Sequence, residues 1–294
     1  MKTRRILLLV FLMMIFAACS NDTEQADNEV DKSSLIPALS EYSDKEIEEI
    51  DRGQELVTHT NDMLPENVGN NLSCASCHAG AGRGDSLNLI GVTEKFPQYS
   101  EREGEDVTLE DRINGCFLRS MDGEEIDPEG ETMEAFISYF EYLSENIESE
   151  DQYDFMTVDE RADNIPAPNV EQGANEFSRY NCLSCHGRAG TESAYTGPDL
   201  WGPGSFNDGA GMARFSNMQY FIKHYMPKGR EGTLSEQEAS NIAAYILMQD
   251  RPEFEGVNRF PNGNKPDDYL NEETKEALRN NYLDWTDFER VQDE

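Results

Sequence analysis

Apolar residues recur at helical spacing in several segments of the chain, each bounded by polar residues. The first lies near residues 44–57 and begins at Ser43-Asp44-Lys45-Glu46, where the serine and glutamate side chains can cap the helix reciprocally. The same periodicity predicts further helices near residues 132–147, 170–181 and 236–249. No segment sustains the polar–apolar alternation of a half-buried strand. We therefore predict an all-α fold.

The chain repeats one plan twice, in what we call the first and second halves. In each half a helix precedes Cys-x-x-Cys-His, and a sulfur-bearing residue follows the histidine after 38 positions (Cys116) or 40 positions (Met226). An acidic stretch rich in proline at its end, residues 151–169, separates the halves as a linker. We predict two cytochrome c-like helical haem domains in tandem, residues 44–150 and 170–250. Residues 251–294 form an extension that wraps back over them.

The N-terminal 18 residues form a predicted signal peptide. Three basic residues precede an unbroken apolar run from Ile6 to Phe16, which is shorter than the about 20 residues that a transmembrane helix needs. Ala17-Ala18-Cys19 follows and resembles the bacterial lipobox, although Phe16 stands where leucine is usual. We predict an exported, periplasmic lipoprotein anchored through Cys19, with residues 19–43 as an acidic tether. A plain signal peptide cut near Cys19 is the alternative.

Charge narrows the choice of partners. The chain has 59 aspartates and glutamates against 24 lysines and arginines, a formal net charge of −35. Nucleic acid and anionic lipid are bound through cationic side chains, so neither is an expected partner, and contact with the membrane is expected only through the lipid. An anionic substrate needs a local cluster of arginines.

The two Cys-x-x-Cys-His motifs predict two covalently bound haem c groups. The thiols of Cys74 and Cys77, and of Cys182 and Cys185, bond porphyrin vinyl groups, and His78 and His186 ligate the irons. A thioredoxin-like redox pair does not need the histidine, and the α/β pattern of that fold is absent. A structural zinc site is the other alternative, since the paired spacing also fits zinc ribbons.

The second axial ligand is predicted separately for each haem. Met226 lies in Tyr225-Met226-Pro227, which looks like the methionine loop of monohaem cytochromes c, while His224 and Lys223 are rival ligands. Gly197-Pro198-Asp199-Leu200-Trp201-Gly202 resembles the haem-packing segment of the same proteins. Histidine and methionine together raise a haem's reduction potential, which suits this haem to passing electrons outward.

Cys116 is the cysteine left over after one is assigned to lipid and four to haem. A helix predicted from Thr108 to about Met121 would place it on one stripe with three polar residues, namely Arg112, Arg119 and Ser120. Guanidinium groups beside a thiol favour the thiolate, and thiolate ligation of the first iron would lower its reduction potential. A buried structural cysteine is the alternative, with the arginines paired to acidic residues.

Several segments resemble the dihaem thiosulfate dehydrogenase family over about residues 46–267. The similarity is carried by Phe96-Pro97-Gln98-Tyr99, Arg102, Glu110 to Met121 and Asn207 to Met212, and Arg-x-x-x-Cys-x-x-x-Ser is its most specific part. The resemblance implies that two thiosulfates are oxidatively coupled to tetrathionate, in some members reversibly. It also implies that Cys116 ligates the first haem, and that Arg102, Arg112 and Ser120 bind substrate.

Two other functions are compatible with the motifs. A pure electron-transfer cytochrome would explain both haems and Met226, but it leaves the stripe of Cys116 and the arginines without a purpose. An oxidoreductase for another sulfur compound, such as thiol-bound sulfane sulfur, would use similar residues. In either case a basic cytochrome c suits the acidic surface as electron acceptor.

Overall fold

Helices dominate the computed structural model, which describes residues 35–147, 164–187, 196–256 and 260–292. In this part of the chain the α-helices are α1 (Asp44–Thr58), α2 (Thr60–Met63), α3 (Leu109–Arg119), α4 (Glu131–Ser144), α5 (Val170–Arg179), α6 (Leu183–His186), α7 (Phe215–Tyr225), α8 (Glu236–Leu247) and α9 (Glu272–Arg279). None of these described helices has the length and apolar character to cross a membrane. The predicted all-α fold is confirmed.

Strands are few and short in the described residues. β1 (Gln98–Ser100) and β2 (Glu105–Val107) form an antiparallel hairpin, with Gln98 opposite Val107. β3 (Ile165–Pro166) pairs in parallel with β4 (Val291–Gln292), which joins the end of the linker to the C-terminal extension.

The predicted helix starts follow from capping. Ser43 accepts a hydrogen bond from the backbone of Glu46, whose carboxylate in turn accepts one from Ser43, as expected for α1. Helix α7 was not expected from the sequence. Its buried residues, among them Phe215, Met218 and Ile222, do recur at helical spacing. The sequence prediction covered only the segment around Met226, at the end of this helix.

The first half is organised by a close crossing of α1 and α4. A Cβ atom placed on Gly53 would lie 2.1 Å from the carbonyl oxygen of Ala135 and 2.6 Å from the Cβ of Tyr139. Only glycine therefore allows the two backbones to approach this closely. The Tyr139 hydroxyl then donates to the carbonyl of Ala81 at 2.8 Å, which fixes the loop that follows the first motif.

The second half repeats this contact between α5 and α8. A Cβ on Gly173 would lie 2.0 Å from the carbonyl oxygen of Asn241 and 2.9 Å from the Cβ of Tyr245. The Tyr245 ring packs edge-on against Trp201, with ring centroids 5.9 Å apart. The internal repeat predicted from the two motifs thus extends to the glycine and tyrosine where the helices cross.

The residues just before α1 pack more closely than a tether would. Leu35 is buried beside Ile90 and Ile147. The ring of Tyr42 lies 5.7 Å from that of Tyr142, whose hydroxyl donates to the carbonyl of Pro37. Apolar side chains thus bind residues 35–42 to the first half, so the described end of the predicted tether is not free. The predicted signal peptide, Cys19 and residues 148–163 of the linker region lie outside the described residues.

The C-terminal extension packs on the second half. Its Asp268 is buried and accepts hydrogen bonds from the Arg214 guanidinium and from both the backbone and the hydroxyl of Ser216. Burial raises the pKa of the Asp268 carboxyl, but Arg214 and the hydrogen bonds from Ser216 outweigh it and hold that pKa below its usual value. Lys275 is also buried and forms an ion pair with Glu272 at 2.9 Å.

Two buried asparagines join the halves at the end of α3. Asn207 donates to the carbonyl of Leu118 at 2.9 Å and to the carboxylate of Asp122 at 2.8 Å. Asn70 donates to the carbonyl of Ser120 at 2.9 Å and to that of Ser205 at 3.0 Å. The C-terminus of α3 is therefore fixed between the motif-bearing segment of the first half and a loop of the second.

Replacing Gly53 with alanine tests the helix crossing. Alanine favours a helix interior by up to about 1 kcal/mol over glycine, but the added methyl group would overlap backbone atoms of α4. We expect Gly53→Ala to lower the free energy of unfolding by about 1–3 kcal/mol, measured by thermal unfolding with circular dichroism. Gly211→Ala is the matched control, because its Cβ would meet only the Asn217 side chain, at 3.6 Å. Equal stability of Gly53→Ala and the parent would contradict the crossing described above.

Candidate functional site

The first motif is held in a tight turn beside α2. Cys74–Ser76 forms one turn of 3-10 helix, and the backbone of Cys74 donates to the Thr60 hydroxyl at 3.1 Å. Burial raises the pKa of the Cys74 thiol to about 12 and that of the Cys77 thiol to about 11. Both thiols of the first motif are therefore buried and neutral in the described structure.

The imidazole of His78 is oriented for ligation. Its Nδ1 lies 2.5 Å from the carbonyl oxygen of Leu87, which can only accept, so Nδ1 carries the proton and Nε2 is left available as a ligand. Burial is the main cause that lowers the pKa of His78 to about 4. The ring is therefore neutral at physiological pH, as an iron ligand must be.

The second motif is built in the same way. Nδ1 of His186 donates to the carbonyl of Pro198 at 2.9 Å, and burial lowers the pKa of this imidazole as well. A Cβ on Gly197 would lie 2.9 Å from the same Nδ1, so the haem-packing segment can pass close to the ring only with glycine there. Burial raises the pKa of Cys182 to about 11, as at the first motif.

These residues fit two haem c groups and disfavour zinc. Within the described ranges, no three histidine, cysteine, aspartate or glutamate side chains come together as a metal site. The two cysteine pairs therefore do not converge as they would in a zinc ribbon. Each motif instead brings two thiols and one oriented imidazole together by itself.

Met226 and its rivals lie at the end of α7. Met226 is the residue that caps this helix, and its side chain is half-buried. His224 is exposed, and its ring stacks 4.3 Å from that of Tyr220. Met226 as the ligand of the second iron stays a prediction, and the half-buried Lys223 stays a rival.

Helix α3 presents Cys116 as the sequence predicted. Thr108 and Asp111 form the capping box at its start, and Ile113 and Phe117 face the core. On the other face, the Arg112 guanidinium donates to the Cys116 sulfur at 3.0 Å. Negative charge on the Cys116 sulfur contributes to the raised pKa of both Cys74 and Cys77, so this sulfur lies close to the first motif.

Arg112 belongs to a cluster of three arginines, with Arg102 and Arg119. The pKa of Arg119 falls to about 10, first because the side chain is buried and then because the charges of Arg102 and Arg112 repel its own. Burial and the charge of Arg112 likewise lower the pKa of Arg102, although Tyr269 opposes this. A carboxylate, Glu103, lies 3.7 Å from Arg119 and offsets part of the positive charge. Cations that repel one another in a half-buried site favour an anion between them.

Arg102 owes its position to the second half and the extension. It lies in the turn of the β1–β2 hairpin and donates to the carbonyl of Gly209 at 2.9 Å and to the Tyr269 hydroxyl. Its guanidinium also lies 5.3 Å from the centre of the Phe260 ring. Ser120, the other residue predicted to bind substrate, follows the last residue of α3, one turn beyond Cys116, and is half-buried.

The structure thus brings Arg112 and Cys116 into direct contact. It also places Arg102 near enough to Arg112 for the two positive charges to repel each other. The sequence placed Arg119 on the same stripe beside the thiol, but Arg119 was not among the residues predicted to bind substrate. The supports from Gly209 and Tyr269 were not predicted, because these residues lie more than 100 positions from Arg102.

Each half matches a family of cytochromes. Residues 65–148 match the family model for the SoxA/TsdA cytochrome c domain. Residues 168–246 match the model for subunit III of the cbb3-type cytochrome c oxidase. The prediction of two cytochrome c domains with two covalently bound haem c groups is confirmed.

Whole-chain comparisons point to one family. The chain is 38% identical to a thiosulfate dehydrogenase of Psychrobacter arcticus, over 74% of this chain and 68% of that protein. It is 34% identical to a thiosulfate dehydrogenase of Allochromatium vinosum, over 75% of this chain and 85% of that protein.

A solved structure shares the fold. It is the thiosulfate dehydrogenase TsdBA of Marichromatium purpuratum in its as-isolated form, with a TM-score of 0.65 and 27% identity. The match covers 80% of this chain and 54% of that chain, so this protein corresponds to about half of the solved molecule. With two cytochrome c domains, an oriented histidine in each and relatives at this level of identity, the chain belongs to the dihaem thiosulfate dehydrogenase family.

Proposed function

We propose that this protein is an exported enzyme that oxidises thiosulfate and joins two thiosulfates into tetrathionate. The observation that carries the proposal is the 3.0 Å contact between Arg112 and the sulfur of Cys116, within a cluster of three arginines. Relatives named thiosulfate dehydrogenase over most of the chain support the same substrate. The reaction releases two electrons, and the reverse reaction would consume them.

Charge is the main obstacle to this reaction. Two thiosulfate dianions bring four negative charges together, and the protein as a whole carries −35. Arg102, Arg112 and Arg119 supply positive charge where the dianions must meet. Guanidinium groups also donate paired hydrogen bonds to oxyanions, which orients each sulfonate and leaves its outer sulfur directed at the reaction partner. In this proposal Ser120 adds a hydroxyl donor at the end of the same stripe.

The electrons leave through the haems. His78 and Cys116 would hold the first iron, and His186 and Met226 the second; each haem, when bound, accepts one electron at a time. A thiolate ligand from Cys116 would lower the reduction potential of the first haem and a thioether ligand from Met226 would raise that of the second, which would favour electron transfer toward the second. An external acceptor then receives them, and a basic cytochrome c suits the acidic surface.

Cys116 has a second role in the proposal. Its thiolate and the outer sulfur of one thiosulfate form a sulfur–sulfur bond, and this step gives up two electrons. The second thiosulfate then attacks the sulfur that carries the sulfonate, which releases tetrathionate and restores the thiolate, as in thiol–disulfide exchange. No further oxidant is needed for the second step, because one sulfur–sulfur bond breaks as another forms.

The assay that tests the proposal uses the purified holoprotein with thiosulfate and ferricyanide. Acceptor reduction and tetrathionate are measured together. We expect turnover in the parent, and a loss of at least about 100-fold in Arg112→Gln, since removal of one oxyanion donor costs this much or more. Cys116→Ala should be inactive. Arg52→Gln is the control, because Arg52 is exposed on α1 and lies 4.0 Å from Glu131.

Three outcomes distinguish the functions. Full turnover in Arg112→Gln would contradict the role given to the arginine cluster. Absence of turnover in the parent, in both directions and with both haems attached, would favour an electron-transfer cytochrome. Turnover with thiol-bound sulfane sulfur but not with thiosulfate would favour the related oxidoreductase.

Ligation of the second iron has its own test. We expect the ferric protein to show the absorption band of methionine-ligated haem. Met226→Ala should lose this band, because the variant lacks the thioether that ligates the second iron in the proposal. His224→Ala should keep the band, since its ring stacks on Tyr220. A ferric spectrum that lacks the band in the parent and changes in His224→Ala would show that histidine is the ligand.

We propose further that the mature protein is anchored in the periplasm through lipid on Cys19. The lipobox-like sequence before Cys19 supports this, together with the absence of a membrane-spanning helix among the described residues. We expect Cys19→Ser to move the holoprotein from the membrane to the soluble fraction, measured by fractionation and haem staining. Retention of Cys19→Ser in the membrane fraction would contradict a lipid anchor at this residue.

A further inference from the structure

The guanidinium of Arg251, just beyond the end of α8, has more hydrogen-bond donors than partners in the described part of the chain. Arg251 donates one hydrogen bond, from Nη2 to the carbonyl of Ile246 at 3.0 Å. Its Nε and Nη1 are buried and have no hydrogen-bond partner among the described residues. The flat face of the group covers the ring of Phe206, 4.3 Å from its centre. Buried donors of this kind are rare in folded proteins, so a missing acceptor is indicated.

A second buried donor without a partner belongs to the residue before Phe206, the ring that Arg251 covers. The hydroxyl of Ser205 is buried and makes no hydrogen bond in the described structure, and Ser205 precedes Phe206. Backbone bonds keep the two donors in one place: Gly202 donates to the carbonyl of Asp250 at 2.7 Å and accepts from the backbone of Ser205 at 3.1 Å. Ser205 and Arg251 therefore flank the same short stretch of chain.

This stretch is the continuation of the haem-packing segment. It begins at Pro198, whose carbonyl accepts from His186. Trp201, in its middle, packs on Phe177 of α5, with ring centroids 5.6 Å apart. The described residues 198–205 thus run from the carbonyl that orients His186 to the serine whose hydroxyl has no partner.

The charges in this region call for a carboxylate. Burial lowers the pKa of Arg251 to about 10, and the nearby Asp208 opposes this, so the guanidinium is charged at neutral pH. Asp208 does not serve as the acceptor, because its carboxylate accepts from the backbone of Phe254 at 2.8 Å and no ion pair with Arg251 forms in the described structure. A guanidinium edge and a hydroxyl match the two oxygens of a carboxylate in number and geometry.

We infer that Arg251 and Ser205 bind a propionate carboxylate of the second haem, the group that Cys182, Cys185 and His186 attach. Haem c carries two such carboxylates, and the binding of one of them by Arg251 and Ser205 does not depend on which compound the protein oxidises. Its consequence for electron exit rests on the proposed function. The negative charge of an ionised propionate stabilises ferric iron and so lowers the reduction potential of a haem. Because the guanidinium of Arg251 neutralises that charge, Arg251 raises the reduction potential of the second haem. It also keeps the propionate ionised across the neutral pH range.

Redox titration of the holoprotein, with each haem followed by its own spectroscopic signal, tests the inference without thiosulfate. We expect Arg251→Gln to keep both haems but to lower the potential of the second. Its potential should also become pH-dependent near neutrality and rise as the pH falls, because the propionate can now take up a proton on reduction. Ser205→Ala should lower the potential less, and Arg251→Lys should largely preserve it. The parent should show little pH dependence from this carboxylate.

Two comparisons exclude simpler causes. Arg279→Gln removes the same charge from an exposed arginine that donates to the carbonyl of Met248, near the same end of α8, and it should leave both potentials unchanged. The other titratable groups on this side, Asp208 with Asp122 and Glu255 beyond it, are present in every variant, so they cannot produce a difference between variants. An equal shift in Arg279→Gln would reduce the effect to overall charge and overturn the inference.

Other results would also overturn the assignment of Arg251 and Ser205 to a propionate of the second haem. An unchanged potential and pH profile in Arg251→Gln, or a change confined to the first haem, would overturn the assignment. If Arg251→Gln yields no holoprotein, Ser205→Ala and Arg251→Lys are decisive, because both retain a side chain that the fold can accommodate. In that case a lowered potential of the second haem in Ser205→Ala would support the assignment, and a parent-like potential in Ser205→Ala would overturn it. Failure of the thiosulfate assay would leave these potentials, and so this inference, unaffected.

Discussion

The close crossing of the first and last helices in each half is the contact on which the rest of the structure depends. At Gly53 and at Gly173 the helix backbones approach so closely that a single methyl group would overlap carbonyl oxygens of the partner helix. Each crossing places a tyrosine against the glycine, and Tyr139 extends the effect to the loop behind the first motif. In the second half the motif follows α5 almost directly, and in the first half α2 and a loop lead from α1 to the motif, so each crossing fixes the helix from which its motif extends.

The site adds one element to this shared plan, the helix α3. Its first turn is stabilised by the Thr108 and Asp111 caps, and its last turn is held by Asn70 and Asn207, one from each half. A helix fixed at both ends holds Cys116 at a constant distance from the first motif, which a ligand or a nucleophile requires. The same asparagine contacts join the halves, so the spacing of the two pockets and the position of Cys116 depend on one another.

The sequence was sufficient for whatever depends on local spacing. The motifs, the caps of α1 and α3, and the stripe that carries Arg112 and Cys116 are separated by a few residues, and helical periodicity places them without further information. Long-range packing was not accessible in this way. Arg102 is positioned by Gly209 and Tyr269, and Leu35 by Ile147, through contacts that no local pattern indicates. Arg251 was visible in the sequence, but burial alone reveals that two of its donors have no partner.

The acidic chain and its arginine cluster act over different distances. At physiological ionic strength, charges more than about 8–10 Å apart are largely screened in water, so most of the −35 charge is felt only weakly by an anion that has reached the cluster. Within the half-buried site the screening is weaker, and the mutual repulsion that lowers the pKa of Arg119 is relieved when an anion enters. Glu103 lies 3.7 Å from Arg119 and offsets part of this positive charge. The local charge of the cluster is therefore set mainly by its own arginines and Glu103, and only weakly by the distant acids.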